Sequence, residues 1–208
     1  MLSLQTAVTF FGVSVLLGLS PGPDNLFVLM QSATNGRKAG MLVVLGLCTG
    51  LIGHTGAVAL GLAALFAVSS TAFLTVKLLG AAYLAYLAWQ AWHAAVKMNP
   101  SSQVAVVSGR HLYGRGILMN LSNPKVALFF LAFLPQFVDS DRGAVWSQIM
   151  QLGFVFMLAT LCTFGAISYF AAAIGQRLRG SERAQRRMNR LTGLVFVGLA
   201  LRLALSER

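Results

Sequence analysis

The stretch "LGLSPGPDNLFVL" at residues 17–29 sets two prolines, a glycine and an aspartate, Asp24, inside an otherwise apolar run. Proline lacks a backbone donor and its ring clashes with the preceding turn. Pro21, Gly22 and Pro23 are therefore expected to split the run into two half-helices. Unbroken, residues 4–34 would form a helix about 46 Å long. That is too long for one perpendicular crossing of roughly 30 Å of hydrocarbon and too short for two. One span with a break in it fits the length.

The surrounding composition makes a membrane the expected solvent. Of 208 residues, 57% are hydrophobic and 10% charged, against about a quarter charged in soluble domains. Residues 41–68 contain no Asp, Glu, Lys or Arg and a single histidine, His54, while 146–175 contain none of the five. Hydropathy divides the chain into six segments: 4–34 (interrupted at 21–24), 41–68, 73–96, 116–138 (interrupted at 123–125), 146–175 and 191–205. The expected fold is an all-α polytopic membrane protein, with one transmembrane domain over residues 1–208. The first apolar run has neither a basic stretch before it nor an A-x-A-like site after it, so it is expected to stay as a span.

The formal net charge of +11 would suggest nucleic acid in a soluble protein, but its distribution argues against that partner. The densest basic run, "RLRGSERAQRRMNR" at 177–190, has no interleaved aromatics and separates two apolar segments. Such residues set topology and meet anionic lipids. Arg37 and Lys38 lie in the first loop, Lys97, Arg110 and Arg115 in the third, and Arg177, Arg179, Arg183, Arg186, Arg187 and Arg190 in the fifth. The opposite side holds at most Lys77, Arg142, Arg202 and Arg208. Odd loops are thus expected in the cytoplasm and both termini outside.

The second interruption resembles the first. "LSPGPDN" at 19–25 and "LSNPKVA" at 121–127 both open with Leu-Ser, and both place a charge directly after a proline. Each begins a half of three segments, residues 1–98 and 110–208. Three is odd, so the second half crosses in the opposite sense. Two inverted three-helix repeats with broken first helices point to a binding site near mid-depth. A charge there costs roughly 2.5–3.5 kcal/mol, and it persists when it is paired or faces water. Asp24 and Lys125 are the acid and the Lys/Arg expected deep in the spans. The breaks at Pro21, Gly22, Pro23 and Pro124 would add unpaired N–H groups at residues 24–27 and 125–128, and free carbonyls before each proline.

Three stretches resemble one family. "SPGPDNLFVLMQSATNGRKAGMLVVLGLCTG" (20–50) and "NLSNPKVALFFLAFLPQFVD" (120–139) look like the two signature regions of the LysE/RhtB amino-acid exporters. The closing "GLVFVGLALRLAL" (193–205) is similar to that family's last helix. The resemblance implies a multi-pass exporter in the bacterial inner membrane, moving amino acids or related small metabolites by proton antiport. Lysine, arginine, homoserine, threonine and leucine fall within the family's range, and related branches move metal ions. Many members carry Asn where this chain has Asp24.

A zwitterionic amino acid matches the arrangement. Its carboxylate would meet Lys125 and a half-helix N-terminus, and its ammonium Asp24 and free carbonyls, with Asn25 and Asn123 adding uncharged hydrogen bonds. The competing reading is a buried ion pair that only locks the two halves. Candidates for proton coupling are Asp24 and His54; His54, among glycines, equally reads as a packing residue. Tyr83, Tyr86 and Gln90 share a helical face as candidate cavity lining or interhelical bonds. Trp89, Trp92 and His93 read as interface anchors, and Gly46, Gly50, Gly53 and Gly56 as a small-residue packing ridge. Cys48 and Cys162 read as small core residues. No metal site or cofactor is expected, and no hydrolase, redox or phosphate-loop motif occurs. The expected partners are a small-molecule substrate, protons and lipids; a homo-oligomer stays open. The alternatives to amino-acid export are a metal-ion or other small-solute exporter, a passive channel and a non-transporting scaffold.

Overall fold

The structure is a computed structural model that describes residues 2–20, 22–68, 70–93, 108–171 and 182–205. Every element among them is helical: α1 (Leu4–Leu19), α2 (Pro23–Asn35), α3 (Arg37–Val68), α4 (Ser70–His93), α5 (Gly109–Leu121), α6 (Pro124–Leu128), α7 (Val145–Tyr169) and α8 (Glu182–Leu205). The α6 helix runs on into a π turn (Phe129–Phe133) and a 3-10 turn (Leu134–Phe137). Two stretches are long and apolar enough to cross a membrane, Arg37–Gly61 and Val145–Tyr169. Two more crossings follow if α1 with α2, bent by 68°, and α5 with Pro124–Phe137, bent by 48°, each count as one broken span. The protein is therefore a multi-pass, all-helical membrane protein over its described residues.

The first break follows from cap chemistry. Ser3 Oγ starts α1 by accepting the Thr6 N–H at 3.1 Å, and the Ser20 N–H closes the helix on the Leu16 carbonyl at 3.1 Å. Gly22 is extended, and Pro23 takes the first position of α2, where its missing donor costs nothing. The second break repeats the device: α5 ends at Ser122, and Pro124 takes the first position of α6. Pro21 lies outside the described residues.

Pro135 explains the irregular end of this segment. It has no N–H for the preceding turn, and its ring would crowd a regular one. The ladder widens instead, and the Leu134 N–H reaches back five residues to the Phe129 carbonyl. The widened turn turns Phe129, Phe130 and Phe133 into the core, where they pack with Phe10, Phe137 and Phe156. Ring centroids there lie 4.9–5.4 Å apart between Phe129 and Phe133, Phe129 and Phe156, Phe130 and Phe156, and Phe133 and Phe137. This aromatic cluster holds the second broken segment against α1 and α7.

The α3 helix lies in the middle, against α5, α7 and α2, while α4 and α8 pair with each other and α4 rests on the π turn. Close approach of α3 to α5 depends on Gly46 and Gly116. A Cβ on Gly46 would strike the Tyr113 carbonyl, and one on Gly116 the Val43 carbonyl. The glycine ridge is shorter than expected, because Gly56 meets nothing within 4 Å. The α5 helix also begins earlier than hydropathy placed it, at Gly109 instead of 116, because the polar turn holding Arg110, His111 and Arg115 is helical without being apolar. Cys162 is exposed, not in the core as expected, whereas Cys48 is buried.

Substituting Gly46→Ala or Gly116→Ala should lower stability in detergent by about 1–3 kcal/mol. Gly56→Ala should stay within about 0.5 kcal/mol of the parent. Denaturant unfolding of the purified proteins measures both.

Candidate functional site

The two breaks, about a hundred residues apart in sequence, meet in space. Asn123 is the cap of α6, and its Oδ1 accepts the Lys125 backbone N–H at 3.0 Å. Capping with oxygen aims the other half of the amide outward. Asn123 Nδ2 donates to Asp24 Oδ2 at 2.7 Å, a bond between the first turn of α2 and the start of α6. Asp24 is 3% exposed, and among the described residues no group donates to its Oδ1. Its place in the first turn of α2 sets its charge at the positive end of the helix dipole.

Lys125 takes a different route across the same junction. It is 8% exposed, and Nζ donates to the carbonyls of Leu17 and Ser20, each at 3.2 Å. Those oxygens belong to the end of α1, where a helix leaves its last carbonyls without intrahelical partners. The direct Asp24–Lys125 ion pair among the sequence readings does not form, since the described ion pair is Arg142–Asp139. Asn25 works at the same end, Nδ2 donating to the Gly18 carbonyl at 2.6 Å. Carbonyls freed by the breaks are thus held here by the protein's own side chains.

Two spaces adjoin this junction. A chamber of about 20 Å³ is lined by Leu17, Gly18, Asp24, Leu47, Asn120, Lys125, Val126, Phe156, Thr160 and Phe164. A larger cavity, about 560 Å³, lies on the other side of Lys125. Its floor is Gly22, Pro23, Asn123, Pro124 and Lys125; its walls are Tyr83, Leu87, Trp89, Gln90 and His93 from α4 and Asn189 and Phe196 from α8. Lys125 borders both spaces, while Asp24 borders the small chamber alone.

Among the expected wall residues, Tyr83 and Gln90 line the cavity, and Tyr86 does not. Tyr86 is exposed and accepts from Gln90 Nε2 at 2.8 Å, so it orients a lining residue. Trp89 and His93, read as interface anchors, form part of the wall, whereas Trp92 does not. Asn189 and Phe196 carried no local sequence signal. The imidazole of His54 lies against Phe130, centroids 5.6 Å apart, and Nε2 meets the Asn120 carbonyl at 3.1 Å. A carbonyl only accepts, so this nitrogen carries the proton. Among the described residues no three His, Cys, Asp or Glu side chains gather to hold a metal.

The sequence matches the LysE type translocator family over residues 14–207. The chain belongs to that family. This LysE type translocator is accordingly a membrane transporter with a small-molecule substrate and lipid neighbours. It is 29% identical over 206 residues to an uncharacterized membrane protein of Vibrio cholerae serotype O1, covering 99% of this chain and 100% of that protein. It is 28% identical over 212 residues to the uncharacterized membrane protein YrhP of Bacillus subtilis, covering 98% and 100%. No solved structure matches it.

Buried charges and orphaned carbonyls make the junction sensitive. Lys125→Met should cost about 3 kcal/mol, because it leaves the Leu17 and Ser20 carbonyls without their donor and the nearby Asp24 carboxylate without a neighbouring positive charge. Lys125→Met combined with Asp24→Asn should cost less than Lys125→Met alone. Unfolding of the purified variants in detergent orders the two.

Proposed function

We propose that this translocator is a secondary active exporter of amino acids or related small metabolites in the bacterial inner membrane, exchanging substrate for protons. The observation that carries the reading is the convergence of Asp24, Asn123 and Lys125, from two proline breaks, at one buried junction beside a cavity of about 560 Å³. That volume suits a small metabolite, and the groups supply one charge of each sign.

The exchange runs through Lys125. A substrate carboxylate entering the cavity pairs with Nζ and draws it away from the Leu17 and Ser20 carbonyls. Those oxygens, with Asp24, then receive the substrate ammonium, and Asn25 and Asn123 add uncharged bonds. Oδ1 of Asp24, the oxygen without a donor, takes up the proton when substrate leaves. His54 is the second candidate for coupling, through its bond to the Asn120 backbone carbonyl, since Asn120 borders the same small chamber as Asp24.

Six spans in two inverted repeats, residues 1–98 and 110–208, complete the reading. Helix pairing supports it: α3 of the first half packs on α5 of the second, and α7 of the second packs on α1 of the first. The corresponding helices of the two halves, the middle ones α3 and α7 and the last ones α4 and α8, pack on each other. The link between the halves is 99–109, of which 99–107 lie outside the described residues.

A second reading keeps Lys125 as a permanent lock. Its two hydrogen bonds to α1 are complete without substrate, which favours that view. Inside-out vesicles with an imposed pH gradient separate the readings. Radiolabelled amino acids should accumulate against the gradient in the parent, and Lys125→Ala and Asp24→Ala should lower the rate at least about tenfold. Wild-type rates in both variants, shown to be correctly inserted, would support the lock. An unchanged pH dependence in both Asp24→Asn and His54→Gln would remove the two coupling candidates.

A further inference from the structure

The charges in the chain limit what the cavity can accept. The sequence holds five acidic residues: Asp24, Asp139, Asp141, Glu182 and Glu207. Asp139 and Asp141 sit in the exposed turn before α7, where Asp139 pairs with Arg142. Glu182 opens α8, and Glu207 lies outside the described residues. Among the described residues one carboxylate reaches the junction, that of Asp24, bonded to Asn123 and off the cavity wall.

Beyond Lys125, the described wall holds no Asp, Glu, Lys or Arg; its one imidazole, His93, has Nδ1 turned to the Trp89 carbonyl at 2.8 Å. Tyr83, Leu87 and Phe196 give it apolar surface, and Gln90 and Asn189 give it neutral hydrogen-bonding groups. Lys125 is the Lys or Arg among the described lining residues, and no Asp or Glu is among them. Asp24 and Lys125 balance the two charges of an amino-acid backbone. A third charge, carried on a side chain, would lie against this wall without a counterion. Leaving a charge unpaired out of water is strongly unfavourable. Size does not decide the matter, because a cavity of about 560 Å³ has room for the longest amino-acid side chains.

We infer that the cavity takes amino acids with uncharged side chains and rejects those with a cationic or anionic one. The inference rests on the exporter reading and narrows its substrate class. Neutral substrates lay an aliphatic, aromatic or hydroxyl side chain against Tyr83, Leu87 and Phe196, with Gln90 and Asn189 meeting a hydroxyl where there is one. Lysine, arginine and glutamate are excluded by charge.

Counterflow into proteoliposomes holding the purified full chain tests this directly. The labelled panel is leucine, phenylalanine, threonine, lysine, arginine and glutamate. At least one neutral member should exchange saturably, and lysine, arginine and glutamate should each exchange about a hundredfold more slowly or less. Gln90→Glu, which sets a carboxylate on the wall, should then admit lysine as a substrate or competitor. Lysine, arginine or glutamate exchanging in the parent as fast as the best neutral member would overturn the inference and leave the exporter reading standing. No exchange of any member, by correctly folded protein, would overturn both. Failure of Gln90→Glu to bring in lysine while it still exchanges the neutral member would show that wall charge does not set selectivity.

Discussion

One side chain ties the two ends of the proline breaks together: the amide of Asn123. Its oxygen caps α6 on the Lys125 N–H, and its nitrogen fixes the Asp24 carboxylate at the start of α2. Around it, Lys125 satisfies the carbonyls that end α1. In a membrane interior no bulk water stands ready to complete such groups, so a helix break survives only where protein or a cavity supplies partners. Each break exposes what the other can satisfy. The first leaves carbonyls that need a cation, and the second presents the cation. The Asp24 carboxylate at the start of α2, on the first break, accepts from Asn123 of the second break and completes the arrangement. The remaining architecture, with α3 pressed onto α5 through paired glycines and the phenylalanine cluster under the π turn, holds the two breaks in register.

The same arrangement makes the junction suited to change. Lys125 borders both the large cavity and the small chamber, so its ammonium can choose between partners on either side. Its hold on α1 consists of hydrogen bonds to two carbonyls, which under the proposed amino-acid export the substrate's ammonium replaces in kind. Under the proposed proton exchange, the Asp24 carboxylate, fixed at one oxygen and without a described donor at the other, is where the proton binds.

Much of this was legible in the sequence, for reasons that differ residue by residue. Proline acts on its own backbone, so the positions of both breaks could be read without knowing the fold. Asp24 and Lys125 stood out because a charge in an apolar run needs a partner somewhere. Which partner each finds was not legible: Lys125 reaches the Leu17 and Ser20 carbonyls, left open where α1 ends, and Asp24 is met by Asn123 instead. Pro135 was visible but its consequence was not, since the π turn it causes lies upstream and depends on packing against Phe10 and Phe156. Trp89 and His93 read as interface anchors from residue type alone, and only the pairing of α4 with α8 turns them onto a cavity wall. Gly56 followed its neighbours in spacing but faces no helix.

The most direct measurement is the distance between the two breaks in lipid. Solid-state NMR on protein carrying carbon-13 at the aspartate carboxyls and nitrogen-15 at the asparagine amides reads the Asp24–Asn123 separation through its dipolar coupling, with Asn123→Ala as the blank. A hydrogen bond between them requires a carbon–nitrogen separation within about 4 Å and a coupling lost in the blank. Spectra identical in parent and blank would place the breaks apart, and the shared junction with them.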